Sequence, residues 1–227
     1  MFVPDIEAKN IHDASKALDG LDAVCDICLC ETKCDRCPIN EIRSNILTII
    51  PKDIEVKSVG QITLADTCDL TDPCYDKDVW CRTTVENMLP GKYNCYAAIS
   101  DEREWGNRVC RTWIIHEDFD KNPADDENFA EGLYVDKISN NGVDAGLFGY
   151  FNNKPDFNDK IWDEFLAHIS SMHPVVTIYP FDSKEGFVTS SGYGDGAYDS
   201  VTWRDAHTGK VVAINTTFLE ENYDDSM

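Results

Sequence analysis

The feature that most constrains this fold is a change of hydrophobic period near Val59. From there on, apolar residues recur every second position, the repeat of a pleated strand with one buried face. Gln61 to Asp66 alternates in this way. Gly91 to Ser100 places Tyr93, Cys95, Ala97 and Ile99 on one face. Asn107 to Glu117 divides into Val109, Arg111, Trp113 and Ile115 on one side and Cys110, Thr112 and Ile114 on the other. The short polar link Asp101 to Gly106 predicts that these two strands form a hairpin. Further strands are expected over 133–138, 143–151 and 175–181, and a closing meander over 187–191, 198–203 and 210–218. Residues 66–80 and 118–131 are acidic and turn-rich, and are expected to be loops.

One segment keeps the helical period. Asn158 suits an N-cap, and Ile161, Trp162, Phe165, Leu166 and Ile169 follow as an apolar stripe that His173-Pro174 ends. Strands follow strands, and helices do not alternate with them, which disfavours a doubly wound sheet or a TIM barrel. The expected class is α+β: a β-rich antiparallel sandwich or partly open barrel with one main helix, over residues 57–227.

Residues 1–56 read as a separate small helical module. Ile11 to Asp19 suits a short helix, and Pro38 opens a second one carrying Ile39, Ile42, Ile46 and Leu47. Between them stand five of the chain's 10 cysteines: Cys25, Cys28, Cys30, Cys34 and Cys37. Two C-x-x-C pairs, Cys25/Cys28 and Cys34/Cys37, have the spacing that turns both sulfurs of a pair toward one ion, so a structural zinc tetrathiolate is expected. Cys30 is then a substitute ligand or a spare thiol. Packed reduced thiols and a disulfide pair remain open alternatives. Cys30-x3-Cys34-x2-Cys37 also matches the spacing that binds an open-site iron–sulfur cluster, but the β-α repeats that accompany such a site are missing. Cys68, Cys74 and Cys81 would complete a second metal site only with help from His116.

Charge narrows the partners. The net charge is −22, divided as 7 − 11 = −4 over residues 1–60 and 13 − 31 = −18 over 61–227. Direct binding to nucleic acid or to an anionic membrane needs a basic surface, so neither is expected. The start of the chain has no signal-peptide pattern, and no apolar run approaches a membrane span, so a cytoplasmic protein with reduced thiols is expected. The sequon Asn215-Thr216-Thr217 is then accidental.

The remaining candidate chemistry is Ser190 to Ser200, a glycine-rich stretch in which Tyr193, Asp195 and Asp199 are candidate ligand residues. A phosphate cradle leads into a helix and often carries a lysine, whereas here a strand follows. A hairpin turn with glycines at positive φ is the simpler reading. None of the five histidines forms a metal-binding or triad motif.

Several phrases occur together in a recognisable order. They are Gln61-Ile62-Thr63-Leu64-Ala65-Asp66, Asp72-Pro73-Cys74-Tyr75, Leu89-Pro90-Gly91-Lys92-Tyr93, Trp105-Gly106-Asn107-Arg108-Val109, Val143-Asp144-Ala145-Gly146 and Gly192-Tyr193-Gly194-Asp195-Gly196. Over roughly residues 59–219 this order resembles a domain-of-unknown-function family, number forty-two forty-one, of bacteria and tailed phages. The resemblance implies a compact β-rich domain in a bacterial host or phage-infected cell, and no activity. The leading functional expectation is a non-enzymatic binding protein with a zinc-stabilised front module and a protein partner. The alternatives are an acidic decoy for a nucleic-acid-binding protein, and a small-ligand binder or enzyme using the turn at 190–200.

Overall fold

A computed structural model describes residues 54–75, 80–119, 133–154, 156–181 and 184–219. The chain divides into two units, Met1–Asp53 and Ile54–Met227, and the described residues belong to the second. The expected helices over 11–19 and 38–50, and the cluster Cys25, Cys28, Cys30, Cys34 and Cys37, lie outside the described residues.

Among the described residues, eleven strands form two antiparallel sheets. In chain order they are β1 (Ile54–Leu64), β2 (Thr67–Thr71), β3 (Arg82–Glu86), β4 (Gly91–Asp101), β5 (Asn107–His116), β6 (Leu133–Val143), β7 (Leu147–Phe151), β8 (Val176–Phe181), β9 (Lys184–Ser190), β10 (Gly196–Asp205) and β11 (Val211–Thr217). One sheet has six strands in the order β1-β4-β5-β11-β10-β6, and the other has five in the order β3-β2-β7-β9-β8. Two stacked sheets make a sandwich, so the barrel alternative does not describe this domain. The single α-helix among the described residues, α1 (Asp159–Ile169), follows β7.

The main core fills the space between the sheets. Ile62, Tyr93, Cys95, Val109, Ile114, Val211 and Ile214 from the six-stranded sheet meet Cys68, Leu70, Phe148, Tyr150 and Phe187 from the five-stranded one. Polar groups inside it are satisfied in a chain. The Tyr150 hydroxyl lies 2.8 Å from Thr112 Oγ1 and donates to Thr216 Oγ1 at 2.8 Å, and Thr216 Oγ1 lies 2.7 Å from Ser200 Oγ. Buried hydroxyls that find one another avoid the cost of lost water.

α1 covers the outer face of the five-stranded sheet. Phe165 and Ile169 pack there with Leu147, Phe151, Val175, Phe181 and Val188. Its start follows the expected rule: the Asn158 side chain accepts a hydrogen bond from the Ile161 backbone N–H at 3.0 Å. A third apolar group, Ala98, Cys110, Trp113, Ile115 and Ala213, lies on the other face of the six-stranded sheet.

Three expectations change. The predicted alternation along β5 breaks, because β5 carries one extra residue, Cys110, where Ala98 of β4 pairs with Arg111 and Ile99 with Val109, which puts Val109 in the main core and Cys110 on the opposite face. Cys95 and Cys110 therefore face apart, although their strands are neighbours. The stretch 66–80 contains β2 rather than only turns, and β3 follows it. The closing meander does not form: β9 stays in the five-stranded sheet, whereas β10 and β11 insert between β5 and β6. The glycine-rich turn is thus the point where the chain crosses from one sheet to the other.

Candidate functional site

The crossing is built to be rigid. Gly192 and Gly194 have φ of 53° and 121°, the half of backbone space that favours glycine. The Gly194 N–H donates to the Ser191 carbonyl at 2.7 Å, and the Ser191 hydroxyl donates back to the Gly194 carbonyl at 2.8 Å. Tyr198 packs against the main core and donates its hydroxyl to the same Gly194 carbonyl at 2.7 Å. The Gly192 N–H donates to the Val109 carbonyl at 3.1 Å, which ties the turn to β5.

The β4–β5 hairpin turn is held as firmly. The Glu102 N–H donates to the Gly106 carbonyl at 3.1 Å, and the Gly106 N–H donates to the Arg103 carbonyl at 2.9 Å. Arg103 has a φ of 61°, unusual for a side-chain-bearing residue, and its N–H donates to Asp101 Oδ1 at 2.9 Å. A strained, over-determined backbone of this kind recurs where a side chain must be aimed.

The two turns meet through one carboxylate. Glu102 is 6% exposed. Its Oε1 accepts from the Ser100 hydroxyl at 2.7 Å and its Oε2 from the Tyr193 hydroxyl at 2.7 Å. The hydrogen bond to this carboxylate, with some loss of water, pushes the Tyr193 phenol up to about 12. Tyr193 is therefore a fixed, protonated donor across the neutral range. Its ring stays open to solvent at 58% exposure, and the neighbouring Trp105 is 62% exposed. The two rings lie edge to face, with centroids 6.4 Å apart and planes at 81°. The Arg108 guanidinium carbon lies 5.9 Å from the Tyr193 ring centre. Asn107, at the start of β5, also lines a cleft of about 420 Å³ with Lys57, Ser58, His173 and Val176.

The structure distributes the three expected ligand residues differently. Tyr193 stands at the rim beside Trp105. Asp195 is exposed in the same turn, and its charge helps to raise the Tyr198 phenol after the larger effect of burial. Asp199 is exposed on β10, in register with Thr217. Trp105, Glu102 and Arg108 are the residues that sequence reasoning did not single out as functional. The available signal was an aromatic residue inside an otherwise polar hairpin link, where a turn offers no core to bury it.

The other titratable clusters serve the scaffold. Asp72, fully buried, accepts from the Cys74 N–H at 2.9 Å and from the Asp144 and Ala145 N–H groups at 2.9 and 2.7 Å. This carboxylate ties the Asp72-Pro73-Cys74-Tyr75 corner to the β6–β7 turn, where Tyr75 also donates to Asp144. Buried Lys154 donates from Nζ to the Tyr75 carbonyl at 2.7 Å and sits 4.2 Å from the centre of the Phe157 ring. His116 is enclosed: the Asp118 N–H donates to its Nδ1 at 3.2 Å, and the Tyr93 ring lies edge-on at 5.2 Å. His168 lies 3.1 Å from Thr177 Oγ1, on α1. Among the described residues, no group of three or more His, Cys, Asp or Glu side chains is placed to hold a metal ion. Asn215, the sequon residue, is 6% exposed within β11. Among the described residues, no helix is long and apolar enough to cross a membrane. No family model matches this sequence, and no curated protein or solved structure matches it either.

Proposed function

We propose that the chain is a non-enzymatic binding protein that engages its partner through the end of the sandwich formed by the 101–106 and 191–195 turns. One observation carries this reading: two large aromatic side chains, Trp105 and Tyr193, stand exposed side by side on backbone that hydrogen bonds hold in place. Rigid aromatic anchors bind with little loss of conformational entropy. Supporting the non-enzymatic part, the buried carboxylates and His116 already have partners within the scaffold, and burial pushes the thiols of Cys68, Cys74, Cys81 and Cys95 upward, away from the nucleophilic thiolate. The double variant Trp105→Ala/Tyr193→Ala is expected to lose whatever the wild-type protein retains in affinity capture while keeping the β-sheet signature in circular dichroism, with a lowered melting temperature because buried Glu102 loses the Tyr193 hydroxyl. Equal capture by both proteins would overturn the reading.

The proposal includes the front module. Cys25, Cys28, Cys34 and Cys37 are proposed to bind one structural zinc, on the strength of their paired C-x-x-C spacing. Metal analysis of the purified full chain is expected to find about one equivalent, lost in Cys25→Ser/Cys28→Ser. Less than about half an equivalent, with all five cluster thiols open to titration, would remove the zinc.

A further inference from the structure

We infer that the cleft between β1 and β8 binds a small organic anion, an apolar body carrying one carboxylate or phosphate group. β1 ends the six-stranded sheet, and β8 ends the five-stranded one. They touch where Gly60 meets Ile178. A Cβ at position 60 would come within 3.0 Å of Ile178 Cδ1, and the φ of 141° there favours glycine. Just before this contact β1 bulges: Ser58 pairs with Tyr96 and Gly60 with Cys95, which leaves Val59 without a register partner. On the N-terminal side of the contact, along both strands, lies the cleft of about 420 Å³. Small-molecule sites occupy roughly 300–1,000 Å³.

The lining has two halves. Val59, Ile99 and Val176 give an apolar wall, and Val59 and Val176 pack against the main core. Lys57, Ser58, Asn107 and His173 supply an ammonium, a hydroxyl, an amide and an imidazole. All four can donate a hydrogen bond, the imidazole in either tautomer. The described lining residues include no carboxylate, in a chain where 42 acidic residues outnumber 20 basic ones. A set of donors with one fixed positive charge favours an anionic acceptor and repels a cation. The neighbouring acids do not cancel that charge. Glu55 lies 3.3 Å from Lys57 Nζ, but both side chains are exposed, and such a pair is weak enough to yield to a ligand. Asp101, the register partner of Asn107, accepts from the Arg103 N–H, and Glu102 accepts from Ser100 and Tyr193. The anion binds whether or not the Trp105/Tyr193 end has a partner.

An NMR titration of the isotope-labelled full chain tests this, with hexanoate and butyl phosphate as probes and hexanol and hexylammonium as uncharged and cationic controls. Saturable shifts are expected with at least one anion, centred on the amides of Ser58, Val59, Asn107 and Val176. The tighter of the two anions identifies the head group. Lys57→Met keeps the apolar stem and removes the charge, and is expected to weaken binding about tenfold. The same change at exposed Lys160 of α1 is expected to leave binding unchanged. Either control binding as tightly as the anions, no saturable shift with either anion, shifts centred elsewhere, or full affinity in Lys57→Met would each overturn the assignment.

Discussion

Asp69 and Asp72 lie three residues apart and fasten different parts of the fold. Asp69, 2% exposed in β2, pairs with Arg82 and accepts from the Thr84 hydroxyl at 2.7 Å and the Lys154 N–H at 2.7 Å. It therefore joins β2 to β3 and to the segment that follows β7. A buried charge is tolerated only when its partners replace water, and removing one member leaves the others unpaired. Asp69→Ala strands the Arg82 guanidinium and a backbone N–H together. It is expected to cost about 3–5 kcal/mol of unfolding free energy, read from the urea midpoint at constant slope. A loss below about 1 kcal/mol would show that solvent reaches this corner. These bonds also explain why β2 is illegible locally. A strand with a central aspartate reads as a turn, and the groups that make its burial tolerable come from 13, 15 and 85 residues away.

At the scale of elements, α1 owes its place to one face. Phe165 is fully buried, against Phe181 at 4.8 Å, Tyr179 at 5.3 Å and Trp162 at 5.4 Å between ring centres. Phe165→Ala is expected to cost about 3–5 kcal/mol, because a ring-sized cavity remains between helix and sheet. Asn158→Ala removes only the cap and is expected to cost about 1 kcal/mol. Chemical denaturation of the two variants checks the ratio, and equal losses would mean that the helix does not depend on its packed face. The cap and most of the stripe of this helix were legible because they are local, but the helix ends at Ile169, short of the expected stop at His173-Pro174, and Leu166 of the stripe is exposed. The β4–β5 hairpin was legible for the same reason. The face assignment along β5 was not, because the register shift that turns Val109 inward belongs to its pairing with β4. The candidate site was half legible. Tyr193 announced itself within a glycine-rich turn, but Glu102, which fixes it, lies 91 residues away in sequence. Only the crossing of β9 into β10 between sheets brings the two together.

At the scale of the whole molecule, the sandwich interior stores protons. Cys68, Cys95, Tyr93 and Tyr150 are all buried between the sheets, and loss of water is the largest cause that raises each of them above its ordinary value. Cys81 is raised to about 11, also chiefly by burial. In the unfolded chain these thiols and phenols release their protons at ordinary values, near 9 for the thiols and 10 for the phenols. Between those values and the higher ones of the folded state, the native protein binds more protons than the unfolded one. Stability then falls as pH rises, because its slope follows the protons bound by the unfolded state minus those bound by the native state. The contribution is complete at neutral pH and drains away from about pH 9 upward. The urea midpoint is thus expected to stay level between pH 7 and 8 and to fall steadily above pH 9. Native thiol titration at pH 8 should leave Cys68 and Cys95 unreacted until denaturant is added. A midpoint that holds through pH 11 would mean that these groups ionise as readily in the fold as out of it, and that water enters between the two sheets.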